Sequence, residues 1–219
     1  MDNNWKSIWN KKEAENFSIN TDSVKDEFLS LKYAMGVGKI GSGGSITFED
    51  FYNQFLTNLK ELSFSLDEDF KPNSFFDLGC GTGCYLYLLK TINKSYVLGG
   101  SDYSEPFINL ARKTLPDIED LSCSEATDLN TDKKYDCVFS RSIFQYFPSE
   151  SYAEEVVKRM IQKSNHSVGL FDIHDLAKKE DFIAYRRSTI EDYDKKYAGI
   201  NHMFYSKAFF AEIAEKNNC

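Results

Sequence analysis

Phe75-Phe76-Asp77-Leu78-Gly79-Cys80-Gly81-Thr82-Gly83 is the stretch that decides how this chain is read. Phe75, Phe76 and Leu78 make a short apolar strand with Asp77 near its end. Three glycines at alternate positions then form a turn, and Tyr85, Leu86, Leu88 and Leu89 begin a helical pattern. A glycine turn between a strand and a helix lets a ligand approach the backbone, because no Cβ stands in the way. The dinucleotide fingerprint wants Gly-x-Gly-x-x-Gly. Here the third glycine arrives one residue early, position 84 is Cys, and an acid lies two residues before the first glycine.

From Asn73 onward strand and helix patterns alternate, which predicts a parallel sheet covered on both faces. The expected strands are 74–78, 96–101, 121–124, 136–140 and 168–173. The expected helices are 83–92, 106–115, 151–164 and 206–217. Before them, Phe51, Phe55, Leu56, Leu59 and Leu62 give residues 48–62 one buried helical face. Residues 1–35 are polar and helical in character, with Trp5, Ile8 and Trp9 on one face. The run 36–45 holds five glycines and reads as a loop, with a hinge for a lid as its functional alternative. It lacks the Gly-Lys-Ser/Thr ending of a phosphate loop. The organisation expected is a helical extension and lid over residues 1–70, followed by one α/β domain over 71–219.

With 219 residues, 42% hydrophobic and 15% aromatic, the chain can bury a full α/β core. A net charge of −8 and the absence of a long basic run argue against a nucleic-acid partner. No apolar run reaches membrane-spanning length, and the polar start does not read as a signal peptide. Five cysteines without zinc-type spacing predict no metal site and read as small buried hydrophobes in a reducing, cytoplasmic setting.

Three further stretches bear on a ligand site. The second strand ends Gly99-Gly100-Ser101-Asp102-Tyr103, and an acid at such a tip suits the two hydroxyls of a ribose. The third ends Cys123-Ser124-Glu125-Ala126. The fourth runs Tyr135-Asp136-Cys137-Val138-Phe139-Ser140-Arg141 into Ser142-Ile143-Phe144-Gln145-Tyr146-Phe147-Pro148. Together with Asp77–Gly83 these stretches resemble the class I S-adenosylmethionine (SAM) methyltransferases, by motif over residues 73–175 and more loosely through 201–205. The Phe-Gln-Tyr-Phe-Pro run is similar to a branch found among surface-carbohydrate and secondary-metabolite enzymes.

That resemblance implies a doubly wound Rossmann-like sandwich with a helical cap, binding SAM and releasing S-adenosylhomocysteine (SAH). It implies cofactor contacts from Asp77, Gly79, Cys80, Gly81, Thr82, Gly83, Asp102, Tyr103, Glu125, Ala126, Ser140 and Arg141. Glu125 would accept from the adenine amine. Many relatives carry Glu-His where this chain has Gln145-Tyr146. The base is therefore expected from His202, in the loop before the final helix, or from His174 at the end of the fifth strand. His166 reads as a surface residue. Arg186 and Arg187 are either a solvated pair or a grip for a phosphorylated or nucleotide-linked acceptor. The expected reaction is O-methylation of a carbohydrate or its precursor. N-methylation of an amino sugar or other metabolite, a catalytically silent binding protein and a nicotinamide-dependent oxidoreductase are the alternatives. The family adds two strands after its last helix, which residues up to Cys219 do not write. Either the natural chain continues beyond Cys219, or residues 168–173 are an apolar edge, covered by a second chain in an oligomer or by the N-terminal segment.

Overall fold

The structure is a computed structural model and describes residues 5–10, 23–36, 47–63 and 70–219. All but the first residue of the glycine-rich loop lies outside the described residues. Three helices come first: α1 (Trp5–Asn10), α2 (Val24–Ala34) and α3 (Phe48–Leu62). Side chains set their starts. Ser23 caps α2, and Thr47 and Asp50 form a reciprocal capping box on α3. The alternating part follows as β1 (Ser74–Leu78), α4 (Cys84–Ile92), β2 (Val97–Asp102), α5 (Glu105–Thr114), β3 (Asp120–Cys123), β4 (Tyr135–Arg141), α6 (Glu150–Lys163) and β5 (Ser164–Phe171). Helices α7 (Lys179–Thr189), α8 (Tyr193–Lys196) and α9 (Lys207–Lys216) complete it. All five expected strands are present, within a few residues at their ends. Helices α7 and α8 are additions to the sequence reading, in a stretch with little apolar periodicity that leaves no α7 residue buried.

The strands pair in parallel in the order β3-β2-β1-β4-β5. The chain moves outward one way from β1 through β2 and β3, then returns to β4 on the other side. The crevice between the carboxyl ends of β1 and β4 is therefore a topological switch point, where ligands bind in open α/β sheets.

Alternation along the strands divides the core. Phe75 and Phe139 face one side with Leu86, Leu89, Ile108 and Ala111 from α4 and α5. Phe76, Leu78 and Val138 face the other with Val156 and Met160 of α6 and Ile213 of α9. Phe28 and Leu31 of α2 and Phe55 and Leu62 of α3 belong to the first of these layers. Each such side chain contributes about 1.5–3 kcal/mol on burial. Helices α2 and α3 are thus part of one helical layer of the sandwich as well as its cap. Strand β5 is an edge, and among the described residues no strand pairs with its outer side. No described helix is long and apolar enough to cross a membrane.

Candidate active site

The glycine turn after β1 works through backbone conformation. Gly79, Gly81 and Gly83 all have positive φ (82°, 54° and 79°), a region that side-chain-bearing residues avoid. The turn is tied to the tip of β2. The N–H groups of Gly79 and Cys80 donate to the Ser101 carbonyl at 2.7 and 3.0 Å, and that of Gly81 donates to Asp102 Oδ2 at 2.9 Å. Asp102 Oδ1 accepts from the Ser104 N–H, also at 2.9 Å. Each carboxylate oxygen thus braces a loop and keeps a lone pair for a further donor such as a ribose hydroxyl. Burial lifts the Asp102 pKa to about 6, against the pull of these backbone N–H groups.

Above the switch point lies a cavity of about 550 Å³, the size of a small-molecule site. Gly79, Cys80, Gly81, Asp102, Tyr103, Glu125, Ala126 and Arg141 all line it, as the motif reading expects. Glu125 accepts from the Tyr152 hydroxyl at 3.3 Å. Four other expected cofactor residues support the site from outside the lining. Thr82 is buried and donates its hydroxyl to the Leu31 carbonyl at 2.9 Å, which docks α2 on the turn. A Cβ on Gly83 would meet Leu115 and Ala111, so this glycine serves helix packing. Ser140 is buried beneath the cavity. Asp77 is buried too, and its Oδ2 has no hydrogen-bond partner among the described residues. Desolvation pushes the Asp77 pKa up to about 8. The Lys32 charge opposes that shift, and Asp102 adds to it.

The cap supplies lining residues that motif reading missed. Lys32 of α2 reaches in with its ammonium 4.3 Å from the centre of the Tyr85 ring and 5.1 Å from that of Phe51. Gln54 of α3 accepts from Arg141 at 3.1 Å. Trp5 and Trp9 of α1 also line the cavity, both packed on Tyr146, with Trp9 edge-on to Phe107 as well. Met35, at the end of α2, lies over Gly81 so closely that a Cβ there would collide with its sulfur. The paired tryptophans were visible in the sequence. Nothing local to Lys32 or Gln54 marked them, because only the docking of α2 and α3 brings them to the cavity.

Neither histidine expected as base lines this cavity. His202 packs behind two residues that do, with ring centroids 4.7 Å from Trp5 and 5.8 Å from Tyr146. His174 is 5.3 Å from His202 and 4.4 Å from Phe182. Burial lowers the pKa of both, that of His202 to about 4 with help from His174 and Arg186. They are neutral members of an aromatic cluster, and the Trp5 indole anchors α1 to it by donating to the Asn201 carbonyl at 2.9 Å. Arg186 lies over the Tyr197 ring, and Arg187 pairs with Asp194, so neither arginine reaches the cavity. His166 stacks on Phe70.

At the carboxyl tips of β4 and β5, the backbone beside the cavity is strained. Ser142 and Asp172 both adopt left-handed backbone, at φ 60° and 56°, which costs a non-glycine residue about 1–2 kcal/mol. The Ser142 hydroxyl donates to Asp172 Oδ2, and both residues line the cavity. Gln145 is buried and donates its amide to the Ser142 carbonyl at 2.8 Å. It braces this turn.

A switch-point cavity, a three-glycine turn and an acid at the tip of β2 are together the features of a Rossmann-like SAM-dependent methyltransferase fold. The family described as "Methyltransferase domain" matches residues 76–164, and this match together with the fold supports a SAM-dependent methyltransferase. The structure of the plantazolicin methyltransferase BpumL with a triazolic desmethylPZN analogue and SAH superposes with a TM-score of 0.61 at 17% identity, covering 99% of this chain and 78% of that one. A pentazolic complex of the same enzyme gives 0.60 at 18%, covering 76% and 64%. Among curated proteins, the PF 1022-synthetase of Rosellinia sp. is 27% identical over 191 residues, 80% of this chain and 6% of that protein. The beauvericin nonribosomal cyclodepsipeptide synthetase of Beauveria bassiana is 29% identical over 96 residues, 42% of this chain and 3% of its own length. The chain therefore spans only a small fraction of the curated relatives it matches.

Proposed function

We propose that the protein transfers the methyl group of SAM to a nucleophilic nitrogen of a small, metabolite- or peptide-derived acceptor. The observation that carries this reading is one cavity whose lining combines two chemistries. The glycine turn, Asp102, Tyr103 and Glu125 line it, and so do Arg141, Ser142, Tyr146 and Asp172 with the cap residues Asp50 and Gln54. The first set fits SAM: Asp102 for the ribose, Tyr103, Glu125 and Ala126 for the adenine, and the Gly79–Gly81 backbone beside Lys32 for the amino-acid part. The orphaned buried oxygen of Asp77 suits a cationic neighbour there.

When bound, SAM supplies an electrophilic methyl group whose bond to sulfur breaks with the electron pair left on sulfur. The chain's own residues align the acceptor and exclude water, the latter through Trp5, Trp9 and Met35. Nitrogen is favoured over a sugar hydroxyl for a chemical reason. A hydroxyl needs a base as it attacks, whereas an unprotonated amine does not. No imidazole lines the cavity among the described residues; carboxylates and aromatic rings do. The relatives, nonribosomal cyclodepsipeptide synthetases and a plantazolicin methyltransferase, support such an acceptor. Incubation with SAM and matched amine and hydroxyl acceptors, read by mass spectrometry, tests the reading. Methylated amines are expected. Methylation of sugar hydroxyls alone would restore the carbohydrate reading, and SAH binding without any turnover would support the silent one.

A further inference from the structure

We propose that Asp172, clamped by Ser142 on the strained tips of β5 and β4, orients the acceptor amine and stabilises the positive charge that develops on its nitrogen during transfer. This rests on the amine-methylating reading above and assigns it a residue.

The placement is over-determined. The Ser142 N–H donates to the Phe171 carbonyl at 3.1 Å, its carbonyl accepts from Gln145, and its hydroxyl donates to Asp172. Two adjacent non-glycine residues in left-handed backbone, joined side chain to side chain, persist only where their surroundings hold them, and such strain concentrates at functional sites. The clamp occupies Asp172 Oδ2. Asp172 is exposed at the cavity's rim within electrostatic reach of Tyr146, and its Oδ1 accepts from no described residue. Arg141, on the same rim, is turned to Gln54 and to the Tyr85 ring, so it does not neutralise Asp172 through a salt bridge.

The chemistry favours an electrostatic role over that of a base. A carboxylate is too weak a base to deprotonate an alkylammonium ion, so the nucleophile is the small neutral fraction of the amine present in acid–base equilibrium with the buffered solvent. Its lone pair then forms the N–C bond, the methyl–sulfur bond breaks with its pair going to sulfur, and nitrogen ends as a methylammonium cation. A fixed carboxylate beside that nitrogen accepts a hydrogen bond from the amine and stabilises the charge as it grows. The same placement selects amines over hydroxyls of equal shape.

Asp172→Asn tests this, since it removes the charge and keeps an oxygen to accept the Ser142 hydroxyl. Binding of benzylammonium and of benzyl alcohol to the SAH-saturated full chain is measured by NMR titration. The wild type is expected to prefer benzylammonium, and Asp172→Asn to lose that preference by about tenfold or more with benzyl alcohol affinity unchanged. Ser142→Ala, which leaves the charge and frees its position, should lose part of the preference. An equal preference in Asp172→Asn and wild type, or none in the wild type, overturns the inference. A chain that binds no SAH at all would instead remove the methyltransferase reading beneath it, so the two failures are distinguishable. Amine methylation gives a second readout: Asp172→Asn should lower kcat/KM for amines, with SAH affinity intact.

Discussion

Asp77→Asn should make the protein more stable at neutral pH, although it alters the most characteristic acid of the glycine-turn motif. Burial raises the Asp77 pKa from the ordinary 3.8 to about 8, because Lys32 only partly offsets its desolvation. For an acid whose folded pKa lies above its unfolded one, the stability contribution is fully present below the unfolded value. It is lost as pH rises towards the folded one. The window therefore runs from about pH 4 to pH 8. At pH 7 roughly three units of that interval have been crossed, a loss of about 4 kcal/mol at 1.36 kcal/mol per unit. Asn keeps the shape and carries no charge at any pH. Urea unfolding of wild type and Asp77→Asn from pH 4 to pH 8 should start with similar stabilities and diverge steadily, the variant ending several kcal/mol ahead. Lys32→Met should widen the loss in an otherwise wild-type chain, since it removes the opposing charge. Parallel stability curves for wild type and Asp77→Asn would refute the reasoning and mean that Asp77 is ionised and fully compensated in the fold.

Asp102→Ala should abolish the thermal shift caused by SAH and also destabilise the free protein. Its carboxylate accepts the Gly81 and Ser104 N–H groups, and a buried orphaned donor costs about 1–3 kcal/mol. An unchanged thermal shift would remove its ribose role. Gly81→Val should prevent SAH binding and displace α2, because the new side chain meets Met35 at a backbone φ of 54°. Adding Met35→Ala should restore only part of the stability, since the left-handed strain remains, and a double-mutant cycle measures that part. His202→Ala should leave turnover at saturation nearly intact and loosen α1, seen as a change in tryptophan fluorescence. The wild type, with its His202 pKa depressed to about 4, should lose stability as pH falls from 6.5 towards 4, and the variant should lose this slope. A fall in turnover of about 10²–10⁴-fold with the fold preserved would return His202 to the role of base.

The glycine turn and the acid beside it were legible because their chemistry is local. A strand, a turn that only glycine tolerates and an acid at the next strand tip are all written in short windows, and the parallel sheet follows from alternation of apolar runs. Even there the sequence left roles unseparated. Gly79 and Gly81 line the cavity against Ile143 and Met35, Gly83 packs on Ala111 and Leu115 at the end of α5, and Thr82 holds α2. Spacing is silent on such matters, because it orders residues along the chain and says nothing of which neighbour arrives from elsewhere.

The rest of the cavity lining was read less well for the same reason. His202 and His174 were chosen for their place at strand and helix ends. Tyr146 and Trp5, residues far from them and from each other in sequence, occupy the ground between His202 and the cavity. Asp172 went unremarked in Leu170-Phe171-Asp172-Ile173, where it reads as an ordinary polar residue at a strand end. Its meaning comes from a left-handed backbone and from a serine thirty positions earlier.

By itself, then, the sequence determined the class of fold and the glycine turn after β1, since both depend on backbone conformations that residue types within a few positions permit or forbid. Tertiary structure decided which side chains meet across the switch point: Lys32 and Gln54 from the cap, Gln145 turned inward as a brace, the histidines behind Tyr146, and Asp172 at the rim. Those meetings depend on how α1, α2 and α3 dock against the sheet, which long-range packing of apolar faces sets and no local pattern encodes.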